Sequence, residues 1–535
     1  MPAAAPPAAR TAPAALPPRL SPERLRALAA RASYRPGGAP RETLRVVAPF
    51  TGEDVLALPA ADAADMAHAF AVARRAQQAW AATPFPQRAA VFARLHDLVL
   101  EAHEEGLDLV QLESGKARIH ALEEVMDVAL VARYYAYHGQ AALERSARRG
   151  ALPLLTRVEV NYLPVGVVGI IAPWNYPLSM GITDAIPALL AGNAVVVKPA
   201  EQTPLTALWT AELLAKAGLP AGLLHFVPGD GAALGPPLIA HADYLHFTGS
   251  TETGRLVAQQ AAERLIGCSL ELGGKNPLIV LDDADLDQTV EGALRACFSS
   301  AGQLCISAER LYVQRPLYDA FLERFARRAE ALRVGPGYRY DVDMGALVSR
   351  EHLEKVRRHV EDAVGKGARV WAGGVPLPEA GPLFFAPTVL TDVTDEMTLF
   401  REETFGPVVA VYPFDTDDEA VACANDSVYG LNASVWSGNA TRARAVARRL
   451  RCGTVNINEG YASAWASTDA PMGGFGASGV GRRHGPEGIR KYAEAQTVAE
   501  QRGLPMGPLP GMALEAFAGM ALTGLRVLRR LPGLR

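Results

Sequence analysis

Short apolar runs alternate with helix-like segments along most of the chain, and this alternation limits the fold more than any other feature. It begins at Val165 with VGVVGIIAP, continues through NAVVVKP and TALWTAELLAKAG, and starts again near Pro277 with PLIVLDD and DQTVEGALRACFSSAG. Such alternation is typical of βαβ units, in which a parallel sheet carries helices on both faces. We therefore predict an α/β fold with two such units, preceded by a mainly helical region over about residues 60–147.

Length and charge exclude several classes of partner. The chain has 535 residues, of which 49% are hydrophobic and 21% charged, so roughly two to four structural domains are expected. The formal net charge of −4 and a pI near 6.3 give no basic footprint for nucleic acid. No run reaches the ~18 apolar residues of a membrane span. We expect neither a nucleic-acid partner nor an integral membrane span.

The two ends of the chain differ from the rest. The N-terminus, MPAAAPPAARTAPAALPPRL, is rich in alanine and proline and lacks the continuous apolar stretch of a secretory signal. We predict a disordered or extended segment over residues 1–43. Residues 501–535 form a C-terminal extension that ends in the amphipathic, basic GMALEAFAGMALTGLRVLRRLPGLR. This character could suit a membrane surface, but we expect a helix docked on its own protein.

The cysteines point to a reducing compartment. They are Cys268, Cys297, Cys305, Cys423 and Cys452. No pair has CxxC spacing and no Cys/His cluster has the spacing of a zinc site, so we expect neither disulfides nor a metal. A cytoplasmic location fits best. Cys305 lies in the uncharged stretch AGQLCIS, where it can be a buried packing residue or a nucleophile.

Polar residues follow several of the predicted strands. VVVKPAEQTP places Lys198 and Glu201 after a buried-type strand, and ligands of open α/β sheets bind outside the carboxyl ends of the strands. A solvated loop is the alternative. HFTGSTETGR places Gly249 and Ser250 just before a helix, whose free N–H groups can bind phosphate. Ser250 can equally serve as a helix cap.

Two further polar residues stand in unusual surroundings. Asn175 lies between Trp174 and Tyr176 in the proline-flanked loop APWNYP. Its amide can donate a hydrogen bond to a developing oxyanion, or it can be an ordinary turn residue. Glu271 stands within the apolar stretch SLELGGKNP. A carboxylate there belongs either to a structural ion pair or to a general base with a raised pKa.

Six motifs together resemble a known family. PWNYP, VVVKPAEQTP, FTGSTETGR, LELGGKNP, GQLC and EETFGPV occur in this order, and the chain resembles the aldehyde dehydrogenase superfamily over roughly residues 45–500. Within that superfamily it looks most like the succinate-semialdehyde dehydrogenases. The stretches that carry this closer resemblance are FSSAGQLCIS, NINEGYASAWASTDAPMGG and SGVGRRHGPEGIRKY.

The resemblance implies a mechanism. The cysteine of the GQxC motif, Cys305, would be the nucleophile and would form a tetrahedral thiohemiacetal with an aldehyde. Asn175 and the backbone N–H of Cys305 would stabilise its oxyanion. Loss of hydride to a nicotinamide would leave a thioester, and Glu271 would activate the water that hydrolyses it.

The resemblance also implies which residues bind the cofactor. Lys198 and Glu201 would hold the adenine-side ribose, Ser250 with Gly249 the pyrophosphate, and Glu403 with Phe405 the nicotinamide ribose and ring. The full set of expected cofactor-binding residues is Trp174, Lys198, Glu201, Gly229, Gly231, Gly249, Ser250, Glu403 and Phe405.

The identity of Glu201 bears on the choice between NAD and NADP. A carboxylate next to the 2′-phosphate of NADP would repel it by ~3 kcal/mol per unit charge at 5 Å and an effective dielectric near 20. We therefore expect NAD as the cofactor, with NADP used less well.

The resemblance implies the oxidation of an aldehyde to a carboxylic acid, with succinate semialdehyde as the expected substrate. The arginines that grip the substrate carboxylate in that branch are replaced here by Thr183 and Ser299. Arg482, Arg483 and His484 are basic but could belong to a subunit interface. A broad, aromatic or aliphatic aldehyde dehydrogenase, an acylating enzyme and a non-catalytic binding protein are the alternatives. Glu271 argues against the acylating route, and Cys305, Asn175 and Glu271 together argue against a binding protein.

The family fold implies three parts: a Rossmann-type cofactor domain, an α/β catalytic domain and a small β flap that joins subunits into a homodimer or homotetramer. The expected ranges are 44–147 with 164–273 for the cofactor domain, 274–473 for the catalytic domain, and 148–163 with 485–500 for the flap.

Overall fold

The computed structural model of the protein describes residues 16–17, 19–37, 42–151 and 155–530. Its strands are β1 (Thr43–Ala48), β2 (Glu53–Pro59), β3 (Ser146–Arg148), β4 (Thr156–Pro164), β5 (Val167–Ile171), β6 (Ala194–Lys198), β7 (Leu224–Phe226), β8 (Tyr244–Thr248), β9 (Gly267–Glu271), β10 (Asn276–Val280), β11 (Ala308–Gln314), β12 (Arg369–Ala372), β13 (Thr388–Thr391), β14 (Val408–Phe414), β15 (Asn432–Trp436), β16 (Thr454–Ile457), β17 (Gly479–Val480) and β18 (Ala493–Gln501).

Its α-helices are α1 (Pro22–Ala29), α2 (Ala63–Ala81), α3 (Phe85–Glu101), α4 (His103–Ser114), α5 (Arg118–Leu143), α6 (Pro177–Ile182), α7 (Ala185–Leu190), α8 (Pro204–Ala217), α9 (Gly231–His241), α10 (Thr251–Glu263), α11 (Leu286–Phe298), α12 (Arg315–Glu330), α13 (Arg350–Gly365), α14 (Thr398–Arg401), α15 (Asp417–Asn425), α16 (Ala440–Ala447), α17 (Ala462–Trp465), α18 (Gly485–Arg490) and α19 (Leu514–Leu528). Two short 3-10 turns lie at Ser299–Gly302 and Gly476–Ser478.

The first large sheet has six strands in the order β17-β9-β8-β5-β6-β7. All neighbours are parallel except β17, which runs antiparallel to β9. The strands are short runs of β-branched residues buried on both faces; the three valines at 195–197, for example, have no exposed surface. Burial on both faces is what helices on each side of a parallel sheet require. The predicted α/β fold is confirmed.

The second large sheet has seven strands in the order β12-β13-β14-β11-β10-β15-β16. It is parallel apart from β12, which pairs antiparallel with β13 at one edge. Helices α11 and α12 pack on one face and α15 and α16 lie on the other, so this sheet also has separate hydrophobic clusters on its two sides. The chain thus contains two parallel units joined by the short link between β9 and β10.

A smaller antiparallel sheet has the order β18-β4-β3, and β1 pairs with β2 in a two-stranded ribbon. Strands β18 and β4 pair along nine residues each, from Ala493 opposite Pro164 to Gln501 opposite Thr156. The segments expected to form a flap, 148–163 and 485–500, therefore contribute β4 and β18 to one sheet, although residues 485–490 form helix α18 instead. The division of the chain into three domains stays a prediction.

Both ends of the chain depart from expectation. Residues 1–15 lie outside the described residues, but α1 falls within the segment expected to be disordered or extended, and that part of the prediction is wrong. Ser21 caps α1 by accepting a hydrogen bond from the Arg24 backbone N–H, and Leu25 and Leu28 have no exposed surface. A capping serine followed by proline and two core leucines specifies a helix even beside an Ala/Pro-rich tail.

Helix α19 has no buried residue, so the expectation that it docks on its own chain is wrong for the part of the chain described. The preceding residues 502–513 are rich in glycine and proline and almost entirely exposed, and they separate α19 from the sheets. None of the helices within the described ranges is both long and apolar enough to cross a membrane.

The carboxyl ends of strands in the six-stranded sheet face the amino ends of strands in the seven-stranded sheet. The carboxyl ends of β5, β8 and β9 belong to the six-stranded sheet, whereas the segments that enter β10, β11 and β14 lie at the amino edge of the seven-stranded sheet. Residues from both edges line a single cavity, which includes Glu271 at the end of β9 and Cys305 just before β11.

Candidate active site

The carboxyl edge of the six-stranded sheet supplies half of the cavity wall. The loop after β5 carries Trp174 and Asn175, the turn after β8 carries Gly249 and Ser250, and β9 ends at Glu271. Parallel strands bring their carboxyl ends to one edge, so residues far apart in sequence become neighbours there.

Hydrogen bonds to Lys116 and Gln303 hold the loop that carries Asn175 in place. Lys116 Nζ donates a hydrogen bond to the backbone oxygen of Asn175 at 2.6 Å and pairs with Glu124 Oε1 at the same distance, and both charged residues are buried. The Asn175 Nδ2 atom donates to the backbone oxygen of Gln303 at 2.9 Å. An amide nitrogen carries two N–H groups, so one remains for a ligand in the cavity.

The amino edge of the seven-stranded sheet supplies Cys305. The turn before it is tightly specified, because Ser300 and Ala301 have left-handed backbone angles, with φ of 51° and 57°. Such angles cost of order 1–3 kcal/mol each in non-glycine residues. Gly302 follows with φ of 70°, and a Cβ there would lie 2.1 Å from the backbone oxygen of Gly406. The backbone oxygen of Cys305 accepts a hydrogen bond from Asn276 Nδ2 at 2.7 Å.

Cys305 is a thiol in the resting protein. Burial, followed by the charges of Glu403 and Glu271, raises the pKa of Cys305 to about 12. Cys305 therefore needs a proton acceptor before it can attack as a thiolate.

Glu271 has the properties of such an acceptor. Burial is the main cause that raises the pKa of Glu271 to about 7, and the positive charge of Arg483 partly opposes it. Within the described residues its Oε1 atom has no hydrogen-bond partner. It is thus a buried carboxylate that exchanges a proton near neutral pH. The reading of Glu271 as a member of a structural ion pair loses support, because no direct salt bridge to it is found among the described residues.

Glu403 and Phe405 face the same cavity from the segment before β14. Glu403 Oε1 accepts a hydrogen bond from the Gly274 backbone N–H at 2.8 Å, and burial raises the pKa of Glu403 to about 7. Phe405 has a left-handed backbone, with φ of 60°. Its ring meets the ring of Trp174 edge-on, with centroids 5.6 Å apart. These residues form one end of the cavity.

The remaining expected cofactor residues lie outside this cavity. Lys198 Nζ and Glu201 Oε1 form an ion pair of 2.8 Å at the end of β6. A Cβ added to Gly231, the first residue of α9, would lie 3.2 Å from Glu201 Oε1 and 3.3 Å from Lys198 Nζ. A glycine therefore keeps space open beside the pair. Gly229 packs against Leu234 and Ala61.

A dinucleotide fits this arrangement. The ion pair and Gly231 at the end of β6, and Gly249 with Ser250 at the start of α10, lie along the carboxyl edge of the six-stranded sheet, and Glu403 and Cys305 face the cavity from the seven-stranded sheet. Ser250 also caps α10 by accepting from the Thr253 N–H at 3.2 Å, so the capping role proposed for it is filled. Among the described residues, no group of three or more side chains could hold a metal ion.

The other end of the cavity is aromatic and apolar. Tyr176, Tyr461, Trp465 and Met472 pack together there, and the cavity has a volume of about 240 Å³. The motifs did not indicate Glu123, which lies on α5. Its carboxylate accepts hydrogen bonds from Tyr176 Oη at 3.1 Å and Tyr461 Oη at 2.8 Å. The three carboxylates in the helix segment ALEEVMDVAL, among them Glu123, are the one signal that could have drawn attention to it.

Thr183 and Ser299 stand at the positions where the related enzymes carry arginines for the substrate carboxylate. Both residues are buried. Ser299 Oγ lies 2.9 Å from Tyr461 Oη and can donate to it, since the single Tyr461 proton goes to Glu123, and Thr183 contacts Arg483. Arg483 lines the cavity and is 4% exposed, and His484 is 3% exposed. Arg483 and His484 therefore lie inside their own chain. The alternative that assigned them to a subunit interface is not needed.

Comparison with known proteins decides the family. The model of the aldehyde dehydrogenase family matches residues 36–498. The chain belongs to the aldehyde dehydrogenase family. It is therefore an NAD(P)-dependent oxidoreductase, and the resemblance in its six motifs is confirmed.

Close relatives of this aldehyde dehydrogenase are found among mycobacterial proteins. A Mycolicibacterium smegmatis protein is 51% identical over 484 residues, which cover 90% of this chain and 94% of that protein. A Mycobacterium tuberculosis protein is 49% identical over 513 residues, which cover 96% and 98%. Both carry the provisional name succinate-semialdehyde dehydrogenase, with NADP(+) as the stated cofactor.

Solved structures agree with the fold. An Escherichia coli enzyme described as NADP-dependent is 37% identical, has a TM-score of 0.83, and is matched over 88% of this chain and 98% of its own. A betaine aldehyde dehydrogenase variant from Staphylococcus aureus, solved with NAD+, is 32% identical with a TM-score of 0.84 and is matched over 90% and 99%.

Proposed function

We propose that this aldehyde dehydrogenase oxidises succinate semialdehyde to succinate through a thioester on Cys305. The observation that carries the proposal is the convergence of Cys305, Glu271 and Asn175 from two different sheets on one cavity. The substrate follows from the names of relatives at 49–51% identity over at least 90% of this chain.

The first step is attack by the Cys305 sulfur on the aldehyde carbon. The thiol proton must leave as the carbon–sulfur bond forms, and Glu271 and Glu403 are the nearby carboxylates, each with a pKa raised by burial to about 7. The aldehyde oxygen becomes an oxyanion, and the free N–H of the Asn175 amide and the backbone N–H of Cys305 are its donors. One such donor is typically worth ~3–4 kcal/mol in the transition state.

The second step is hydrolysis of the thioester. NAD(P), when bound, supplies the two-electron acceptor that turns the first adduct into a thioester, and Glu403, Phe405 and Trp174 would hold its nicotinamide half. Glu271 then takes a proton from water as the water oxygen attacks the thioester carbon, and the carbon–sulfur bond breaks to release the acid and the Cys305 sulfur, which regains a proton. Only the ionised form of Glu271 can do so. Because burial raises its pKa to about 7, hydrolysis slows as the pH falls through about 7.

The choice of cofactor rests on opposing arguments. Glu201 lies beside the space that Gly231 keeps open, and its carboxylate disfavours a ribose phosphate there. Lys198, paired with it at 2.8 Å, offsets part of that repulsion. The names of the two mycobacterial relatives state NADP(+). We propose NAD as the better cofactor, and the ratio of kcat/KM for the two cofactors decides the matter.

We also propose that the enzyme is a cytoplasmic homodimer or homotetramer. Strand β18 is a nine-residue edge strand with mostly exposed residues, and the unpaired N–H and C=O groups of such an edge are a template for pairing with another chain. Its five cysteines are free thiols, which suits a reducing compartment.

An aldehyde panel with NAD and NADP tests the proposed function. We expect succinate semialdehyde to have the highest kcat/KM, and the product to be the free acid without coenzyme A. A higher kcat/KM for benzaldehyde or an unsubstituted alkanal would replace the proposed substrate with a broader aldehyde class. Absence of turnover with every aldehyde would leave the binding-protein alternative.

A further inference from the structure

We propose that Arg483 binds the distal carboxylate of the substrate and thereby selects succinate semialdehyde over uncharged aldehydes. This inference rests on the proposed function, because it assumes a substrate with a carboxylate. It assigns a specificity-determining residue to a position that the six motifs leave out.

The cavity offers few cations for such a carboxylate. Among the lining residues that the structure describes, Lys355 and Arg483 are the lysine and arginine side chains. Lys355 Nζ donates a hydrogen bond to the backbone oxygen of Glu403 at 2.9 Å, so it lies at the end that Glu403 and Phe405 form. Arg483 lies at the other end, where its backbone pairs with Met472.

Arg483 has N–H groups left for a ligand. Its Nη2 donates to Thr183 Oγ1 at 2.5 Å and lies 3.2 Å from Asp184 Oδ2. Among the described residues its Nη1 has the sulfur of Met180 as its partner, at 2.9 Å, and a thioether is a weak acceptor. Its Nε has no acceptor within the described part of the chain. A guanidinium with unsatisfied donors is costly to bury, and a carboxylate is the acceptor that it matches best.

The contact with Thr183 places the guanidinium in a useful position. Thr183 ends the short helix α6, which starts in the loop that carries Asn175. Arg483 therefore reaches the same wall of the cavity that positions the oxyanion donor. The charge of Arg483 also lowers the pKa of both Glu271 and Cys305, so these groups lie within its field. Two methylene groups separate the aldehyde of succinate semialdehyde from its carboxylate, so the cation must be close to the reacting atoms.

The acidic side chains near Arg483 leave its guanidinium able to bind a substrate carboxylate. Asp184 is shared, because its Oδ1 accepts hydrogen bonds from Lys491 at 2.9 Å and Tyr492 at 3.1 Å, and its Oδ2 lies 3.1 Å from His246 Nε2. Asp127 lies within reach of the Arg483 charge as well.

Glu123 faces the same end of the cavity as Arg483. Two tyrosine hydroxyls donate to its carboxylate, and burial raises its pKa.

Replacement of Arg483 by methionine tests the inference. Asp184 keeps Lys491 and Tyr492 as partners in this variant. Steady-state kinetics are measured with succinate semialdehyde and with butanal, which has the same four-carbon chain without the carboxylate. In Arg483→Met we expect KM for succinate semialdehyde to rise about 30–100-fold, because a buried charge pair is lost, whereas KM for butanal should stay within about threefold. The loss of kcat that follows from removing a positive charge near Glu271 and Cys305 should be the same for both aldehydes.

Arg482→Met is the matched control. Arg482 donates to the backbone oxygens of Gly474 and Gly481 and lies over the ring of Phe475. It is absent from the residues that line the cavity, so both substrates should behave as in the parent enzyme.

The outcomes separate the inference from the proposed function. If the parent enzyme prefers succinate semialdehyde but Arg483→Met loses both aldehydes equally through kcat alone, Arg483 only supports Glu271 and the inference is overturned. If the parent enzyme does not prefer succinate semialdehyde to butanal, the proposed function fails and the inference falls with it.

Should Arg483→Met fail to fold, product inhibition of the parent enzyme serves instead. Succinate should compete with butanal at least about tenfold more tightly than butyrate does, and equal inhibition would overturn the inference.

Discussion

The two ends of the cavity are built on different principles. At the cofactor end the backbone fixes the polar groups: the Gly274 N–H holds Glu403, and Phe405 has a left-handed backbone. At the aldehyde end, hydrogen bonds between side chains fix the polar groups: the hydroxyls of Tyr176 and Tyr461 both donate to the Glu123 carboxylate. A ligand common to a whole family can be bound by backbone geometry, whereas a variable ligand is selected by side chains that change without disturbing the chain path.

The reacting groups lie at the border between these ends. Cys305 comes from the amino edge of one sheet, and Asn175 and Glu271 come from the carboxyl edge of the other. If this division is correct, substitutions at the border abolish chemistry for every aldehyde, and substitutions at either end change only the ligand of that end.

The largest effect is expected at the border. Cys305→Ala should lower kcat by about 10⁴-fold or more, because removal of a nucleophile leaves only binding and electrostatic effects. Cofactor binding, measured by fluorescence titration, should stay within about threefold, since the sulfur is not among the groups assigned to the cofactor. Cys423→Ala, on α15, is the control and should keep its activity. Substantial turnover by Cys305→Ala would contradict the assignment of Cys305 as the nucleophile.

The second effect concerns the oxyanion. Asn175→Ala should lower kcat by about 10²–10³-fold, which is typical for the loss of one oxyanion donor. The loss should be similar for succinate semialdehyde and butanal, because the donor contacts the oxygen common to all aldehydes. Thermal unfolding of the variant checks that the loop bonded to Gln303 and Lys116 remains in place. A loss confined to one aldehyde would move Asn175 from the border to the aldehyde end.

The smallest effect is expected at the cofactor end. Glu201→Ser should shift the ratio of kcat/KM for NADP over NAD upward by about 10–100-fold, since it removes a charge that repels a phosphate. The ranking of aldehydes should not change. If the parent enzyme already prefers NADP in steady-state kinetics, Glu201 does not face the ribose, and this part of the account is wrong.

Much of the fold and of the border could be predicted from the sequence, for a physical reason. Strand runs such as those that end at Lys198 and Glu271 specify parallel units, and the parallel arrangement brings polar residues at strand ends to one edge. Cys305 does not follow this rule, because it precedes a strand, and only the resemblance of GQLC to a family motif pointed to its role.

The aldehyde end was the least predictable part. Tyr461 and Glu123 lie 338 positions apart in the chain yet share a hydrogen bond, and no local pattern encodes such a contact. Arg483 reads as one of several basic residues in a glycine-rich loop. Only its burial beside Thr183 separates it from Arg482. Helix α1 was missed because we gave the Ala/Pro-rich composition more weight than the capping Ser21 and the two core leucines. Helix α19 is exposed because no surface among the described residues packs against it.

The measurement that tests the central claim most directly is a rapid-mixing experiment with Glu271→Gln. The variant removes the base for hydrolysis and one of the charges that raise the pKa of Cys305, and it leaves Glu403 to accept the thiol proton, so attack should persist. We predict a burst of about one equivalent of reduced cofactor per active site, followed by a slow phase. Intact-protein and peptide mass spectrometry should find the succinyl group on Cys305. A variant that binds aldehyde and cofactor normally but gives neither a burst nor an acyl group on Cys305 would contradict the account.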